Sequence, residues 1–230
     1  GQGSRDQALM LAFEKSLEGL PEAEKGCLLV GEVDSGPYAS CIHGIGHGIA
    51  SFFKVNDLKA ALTSCDNLNY GRQYCYDGVF MEFERAAKES FYSKSDPLYP
   101  CNIVEDKFIF ACGRNLPNVL MGRFNRGFED VAKICLGVLN QQLKNGCIDA
   151  LGFNAVSQAQ ENTDRIISLC QKIDDQNFYA KCISAASGEL VFQNVPGWQE
   201  NAPKLCDSLS GEFQDSCHKY LKRIIDDYRS

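Results

Sequence analysis

Two of the three histidines in the 230-residue chain stand four residues apart, His43 and His47, within the segment Cys41-Ile42-His43-Gly44-Ile45-Gly46-His47-Gly48. On a helix this spacing puts both imidazoles on one face, one turn apart, which is the arrangement metal sites use. The segment is not the His-Glu-x-x-His signature of a zinc protease, because Gly44 occupies the place of the glutamate. The glycines carry a second message. Each one inside a helix loses up to about 1 kcal/mol relative to alanine. Something must therefore need close approach to this backbone: a ligand, a metal with its surrounding groups, or the leading helix of the chain packed tightly. Besides holding a metal, the imidazoles can hydrogen-bond an organic ligand or a partner peptide, or serve the fold alone.

The elements that position these histidines are read from the cysteines. Twelve cysteines form six close pairs, Cys27 and Cys41, Cys65 and Cys75, Cys101 and Cys112, Cys135 and Cys147, Cys170 and Cys182, Cys206 and Cys217, and the pairs recur every 34 to 38 residues. A period near 35 marks a repeat protein. Separations of 10 to 14 residues within a pair suit neither a Cys-x-x-Cys zinc knuckle nor a redox dithiol. Disulfides between the two members of each pair are the simpler reading; the alternative is a set of buried free thiols. Each bridge closes a loop of about a dozen residues, worth on the order of 3 kcal/mol, and six of them imply folding in an oxidising compartment.

Apolar phase around the cysteines defines the unit. Three residues after each first cysteine come Val30, Leu68, Val104, Val138, Ile173 and Leu209, which reads as one helical face. Four and eight residues after each second cysteine every residue is again apolar, from Ile45 and Ile49 in the first unit to Leu221 and Ile225 in the last. With the cysteine they form a stripe on a second helix. Each unit is thus a helical hairpin stapled near its turn. Prolines and glycines at the junctions, Pro21, Pro97, Gly127, Pro196 and Gly197 among them, place the units at about 21–54, 56–92, 96–126, 127–160, 162–195 and 197–230. Ser4 with Gln7 resembles a capping box and predicts a leading helix over 5–18. Because each hairpin leaves an apolar face that only a neighbour covers, the expected fold is all-α: one repeat domain over 1–230, a right-handed α/α solenoid.

A 34-to-37-residue unit of two antiparallel helices with a cysteine in each resembles the tetratricopeptide-like superfamily, especially its secreted, cysteine-rich branch. That resemblance implies a scaffold that binds peptides or proteins.

Helix phase also nominates partners for the histidines. At about 100° per residue, the apolar stripe of the first unit's second helix centres near 40°, whereas His43 and His47 lie near 200° and 240°, away from the hairpin's own core. The equivalent positions of the second unit are Asp77 and Met81, with Glu84 on the same side; Glu82 points less favourably but is long enough to reach. Packed helices lie about 8–10 Å apart, so the two histidines and one of these carboxylates can enclose an ion. Two imidazoles and a carboxylate suit zinc, iron or manganese, and recruitment of Met81 favours copper; zinc and copper lead.

Charge and composition bound the rest. With 23 basic against 30 acidic residues and a net charge of -7, the chain is no general binder of nucleic-acid backbones. No apolar run reaches the length of a membrane span. Gly1-Gln2-Gly3-Ser4 lacks the charged start of a signal peptide, so the chain reads as the mature form of a secreted or periplasmic protein. Its charge-rich last helix, Cys217 to Arg229, reads as a polar cap and points to a monomer. Arg114, Arg123 and Arg126 either hold an anion or decorate a solvated face, and His218 reads as a surface residue. Asp149, Asn154 and Glu189 recur near the same helix phases, lining either a shared surface or a solvated one. No phosphate loop, nucleophile elbow or haem-attachment motif is present. Two functions stand: an exported repeat protein that binds a protein, a peptide or a small ligand, with a metal or ligand site at His43 and His47; or a metal-dependent hydrolase or oxidase in which Glu82 or Glu84 is a further ligand or the general base.

Overall fold

A computed structural model describes residues 19–53, 57–86, 92 and 96–229; the leading helix expected over 5–18 lies outside them. All regular structure among these residues is helical: α1 (Leu20–Leu28), α2 (Gly36–Phe52), α3 (Leu58–Ser64), α4 (Arg72–Ala86), α5 (Asp106–Asn118), α6 (Phe128–Gly137), α7 (Gln141–Gln158), α8 (Thr163–Cys170), α9 (Gln176–Phe192), α10 (Trp198–Asp207) and α11 (Glu212–Arg229). Among the described residues no helix is long and apolar enough to cross a membrane. The six cysteine pairs are disulfides within successive hairpins, Cys27–Cys41 to Cys206–Cys217, with Cα atoms 5.4 to 5.9 Å apart. No cysteine is free.

The chain divides into two compact units, Gly1–Ala87 and Lys88–Ser230. In the first, Ser35 caps α2 by accepting a hydrogen bond from the Tyr38 amide, and Pro37 sits in the opening turn, where its missing N–H costs nothing. These signals set where α2 starts, and so place His43 and His47 on consecutive inner turns. Tyr38, Ile42, Leu62 and Phe83 fill the core. The buried Glu24 carboxylate of α1 accepts from the amide of Asn69 at 3.1 Å, its side chain at 2.9 Å and the amide of Tyr70 at 2.8 Å, tying the first hairpin to the second hairpin's turn. Burial alone would raise its pKa, but these donors outweigh burial and hold the carboxyl below its usual range. Burial beside that charge pushes the Tyr38 phenol up to about 12.

In the second unit the second helix of each hairpin packs on the next, α5 on α7, α7 on α9 and α9 on α11. Close contacts run along this stack. A Cβ at Gly113 would lie 2.6 Å from the Leu143 carbonyl oxygen, and one at Gly146 2.3 Å from that of Phe110. Without side chains there, the helix backbones touch.

Two expectations need correction. In every hairpin but the third, the apolar residue three places after the first cysteine lies past the helix end rather than on a helical face: Leu68 and Val138 cap their helices with extended backbone. Leu68, Val138, Ile173 and Leu209 are buried because the turn tucks back into the core, whereas Val30 is exposed. The first half of the third hairpin is a run of turns around Cys101 rather than a helix. Pro97 and Pro100 remove backbone donors there and disfavour the helical conformation of the residues before them.

Candidate functional site

The histidine pair belongs to the first unit, on the side of α2 that meets α4. Gly46 is what lets α4 approach: a Cβ there would lie 2.2 Å from the Cys75 carbonyl oxygen, and one at Gly78 of α4 would lie 2.1 Å from that of His43. The close approach foreseen for this glycine segment is therefore, at Gly46, the neighbouring hairpin's second helix. Gly44 and Gly48 face open space among the described residues.

With the backbones this close, His47 meets Glu82. Nδ1 of His47 lies 2.9 Å from Oε2 of Glu82, and the carboxylate also accepts from Nη2 of Arg85, at 2.8 Å to Oε2 and 3.1 Å to Oε1. The Glu82 side chain is only 9% exposed, His47 30%. The His47 hydrogen bond, opposed by burial and reinforced by Arg85, holds the Glu82 carboxyl below its usual range. An ionised carboxylate can only accept, so Nδ1 of His47 carries a proton and donates it. In the neutral imidazole Nε2 is then a bare lone pair. It faces Nε2 of His43 at 3.1 Å, with the ring centroids 4.8 Å apart. Without a metal, His43 supplies the hydrogen between the two rings.

The other candidates are placed less centrally. Met81 is 43% exposed, Asp77 is buried and Glu84 is half-buried. Among the described residues, no three His, Cys, Asp or Glu side chains converge as a ready-made metal cluster. Helix phase favoured Glu84 over Glu82; in the structure Glu82 is the residue on His47. Phase measured from a helix's own core stripe ignores the offset between neighbours, and the Gly46–Gly78 approach sets that offset. Arg85 was not foreseen. Its signal was present as the Glu82-to-Arg85 spacing of three on a helix, which brings opposite charges together. His218, in the second unit, lies 2.9 Å from Asp207 on an exposed helix surface. Arg123 stacks over Tyr92, 5.2 Å from the ring centre.

The two facing Nε2 atoms are spaced as cis ligands of one ion: at metal–nitrogen distances of about 2.0–2.1 Å, 3.1 Å corresponds to an angle of roughly 100° at the metal. Glu82 stands where metal-ligating histidines keep the carboxylate that receives their other N–H. Comparisons of the chain with protein-family models, with curated proteins and with solved structures found no match.

Proposed function

We propose that the chain is an exported helical-repeat binding protein, secreted or periplasmic, whose first unit holds one transition-metal ion, zinc or copper, between Nε2 of His43 and Nε2 of His47. The observation that carries this reading is the pair of ring nitrogens facing each other at 3.1 Å while the opposite nitrogen of His47 is tied to Glu82. Glu82 is a positioning residue here, not a ligand: it fixes the tautomer that frees the His47 lone pair, and Arg85 holds the carboxylate in place. A two-nitrogen site leaves coordination positions for solvent or for a group from a protein, peptide or small-molecule partner, so recognition and metal binding share one surface.

Calorimetric titration of tag-free protein with Zn²⁺ and with Cu²⁺ tests this. One ion per chain is expected, with binding lost in His43→Ala and His47→Ala and weakened about 10- to 100-fold in Glu82→Gln. Absence of binding in the wild type, or unchanged binding in both histidine variants, overturns it. A second reading, a metal-dependent hydrolase or oxidase, is favoured by the half-buried pair and by the space beside Gly44 and Gly48 among the described residues, which leave room for a substrate. In that reading Glu82 or Glu84 is the further ligand or the general base.

A further inference from the structure

The first hairpin departs from the rest of the repeat at its turn. Its disulfide joins cysteines 14 residues apart where the other five span 10 to 12, and the added length carries an apolar tip outward. Among the described residues, Leu28, Leu29, Val30 and Val33 all lie exposed. Val30 holds the place of Leu68, Val138, Ile173 and Leu209, which tuck into the core. In the second unit's turns, Ile103 and Leu139 are exposed one to a hairpin, and scattered single residues of this kind are ordinary. Four within six positions are not.

The tip is a protrusion rather than a groove. Cys27 is buried and faces inward; at roughly 100° per residue, Leu28, Leu29 and Val30 fan around the remaining sides of the helix end, with Leu29 opposite the cysteine. Exposure follows that order, at 43% for Leu28, 89% for Leu29 and 57% for Val30. The tip is also firmly held. The disulfide closes its base with Cα atoms 5.5 Å apart, and the amides of Leu29, Val30 and Ser35 donate to the carbonyls of Gly26, Cys27 and Glu32 at 3.2, 3.2 and 3.0 Å. Gly31 leans on the start of α2, where a Cβ would lie 3.1 Å from the Tyr38 amide nitrogen. The second hairpin's turn joins the same edge: a Cβ at Gly71 would lie 3.1 Å from Cε1 of Tyr38, and the preceding Tyr70 is exposed.

Shape and chemistry together select a fluid apolar phase. A rigid pocket takes side chains that point one way, whereas three neighbours that diverge are all covered only by a medium that flows around them. The paired amides of the tip ease entry into such a medium, because hydrocarbon penalises unpaired N–H groups. Tyr70, with an apolar body and a polar end, suits the headgroup level beside it. Charge then chooses the headgroup. Over residues 20–38 and 65–76, Glu22, Glu24, Glu32, Asp34 and Asp66 stand against Lys25 and Arg72. Lys25 is paired with Glu22 at 2.7 Å, and Nε of Arg72 donates to the Leu68 carbonyl at 2.7 Å. The acidic excess repels anionic lipid and suits a headgroup whose outermost charge is an ammonium.

We infer that the tip at residues 28–33 inserts into the surface of a zwitterionic phospholipid bilayer and holds the chain there peripherally, independently of the histidine site. Flotation of the intact, disulfide-bonded chain with phosphatidylcholine vesicles tests it. The chain is expected to rise with the vesicles, and vesicle affinity should fall at least about tenfold when Leu29→Asn and Val30→Asn are combined, with the fold checked by circular dichroism. Leu139→Asn, which removes an exposed leucine of the second unit, should bind as the wild type does. Should the double variant fail to fold, Leu29→Asn alone carries the test. Failure of the wild type to float, equal flotation of the folded tip variants, an equal loss in Leu139→Asn, or tighter binding once phosphatidylglycerol is mixed into the vesicles overturns the proposal. So does a dimer in sedimentation velocity that the tip variants abolish, which would give the tip to a second copy of the chain.

Discussion

His47 and Glu82 in the first unit occupy the same register as Asn118 and Asn154 in the second. In each case the sixth residue after one hairpin's second cysteine touches the seventh after the next hairpin's, at 2.9 Å and 2.8 Å respectively. The repeat backbone makes this contact wherever two second helices stack; the side chains decide what it does. Two amides share one hydrogen bond, with Asn154 also donating to the Ala150 carbonyl, and neither group titrates. An imidazole against an ionised carboxylate fixes a tautomer and frees a nitrogen. The position two residues after the cysteine completes the difference, being His43 in the first unit and Arg114 in the second.

The comparison breaks most severely at the glycine beneath it. Gly78→Ala drives a Cβ into the His43 carbonyl, where rigid backbone stands on both sides. A loss of about 3 kcal/mol is expected, read as a lowered thermal midpoint, together with loss of metal binding as His43 shifts. Glu24→Gln tests the other tie within the same unit. The folded-state pKa of Glu24 is lowered, so its stabilisation is complete above the ordinary carboxylate value and is lost as pH falls through the folded value. Unfolding free energies of wild type and variant from denaturant titrations should differ by about 2 kcal/mol at pH 7 and converge under acid; a constant difference down to pH 2 contradicts the assignment.

Exchange of the two registers sharpens the contrast with less disturbance of the fold. His47→Asn with Glu82→Asn should change stability by less than about 1.5 kcal/mol while abolishing zinc and copper binding in calorimetry. The reverse pair, Asn118→His with Asn154→Glu, should create no metal binding, because Arg114 replaces the second imidazole. The smallest effect belongs to Gly44→Ala. With open space around it among the described residues, the added methyl should stabilise α2 by up to about 1 kcal/mol; destabilisation in thermal melts would mean that the backbone flank is occupied.

The hairpins were legible because their signals are local. Cys147 with Leu151 and Ala155, all buried, records a helix face that any neighbour would cover, and the short distance from Cys135 to Cys147 leaves the pairing little choice. The histidine pair was legible for the same reason, since spacing of four on one helix needs no partner to be seen. Its partner was not. Choosing Glu82 over Glu84 depends on how α4 is offset against α2, and that offset comes from Gly46 and Gly78, 32 residues apart in sequence. The run of turns around Cys101 was missed because cysteine spacing reports that two segments meet, not that both are helical.

Residue order alone thus determined the repeat, its disulfide staples and the helix face on which two imidazoles stand, because these follow from interactions spanning a dozen residues or fewer. Tertiary packing decided which carboxylate meets His47, that Asn118 meets Asn154 at the same register, and that Lys181 pairs with Asp149. Those contacts join residues 32 to 36 apart, and angstrom-scale backbone approach at glycines, which no periodicity encodes, selects among the neighbours that helix phase permits.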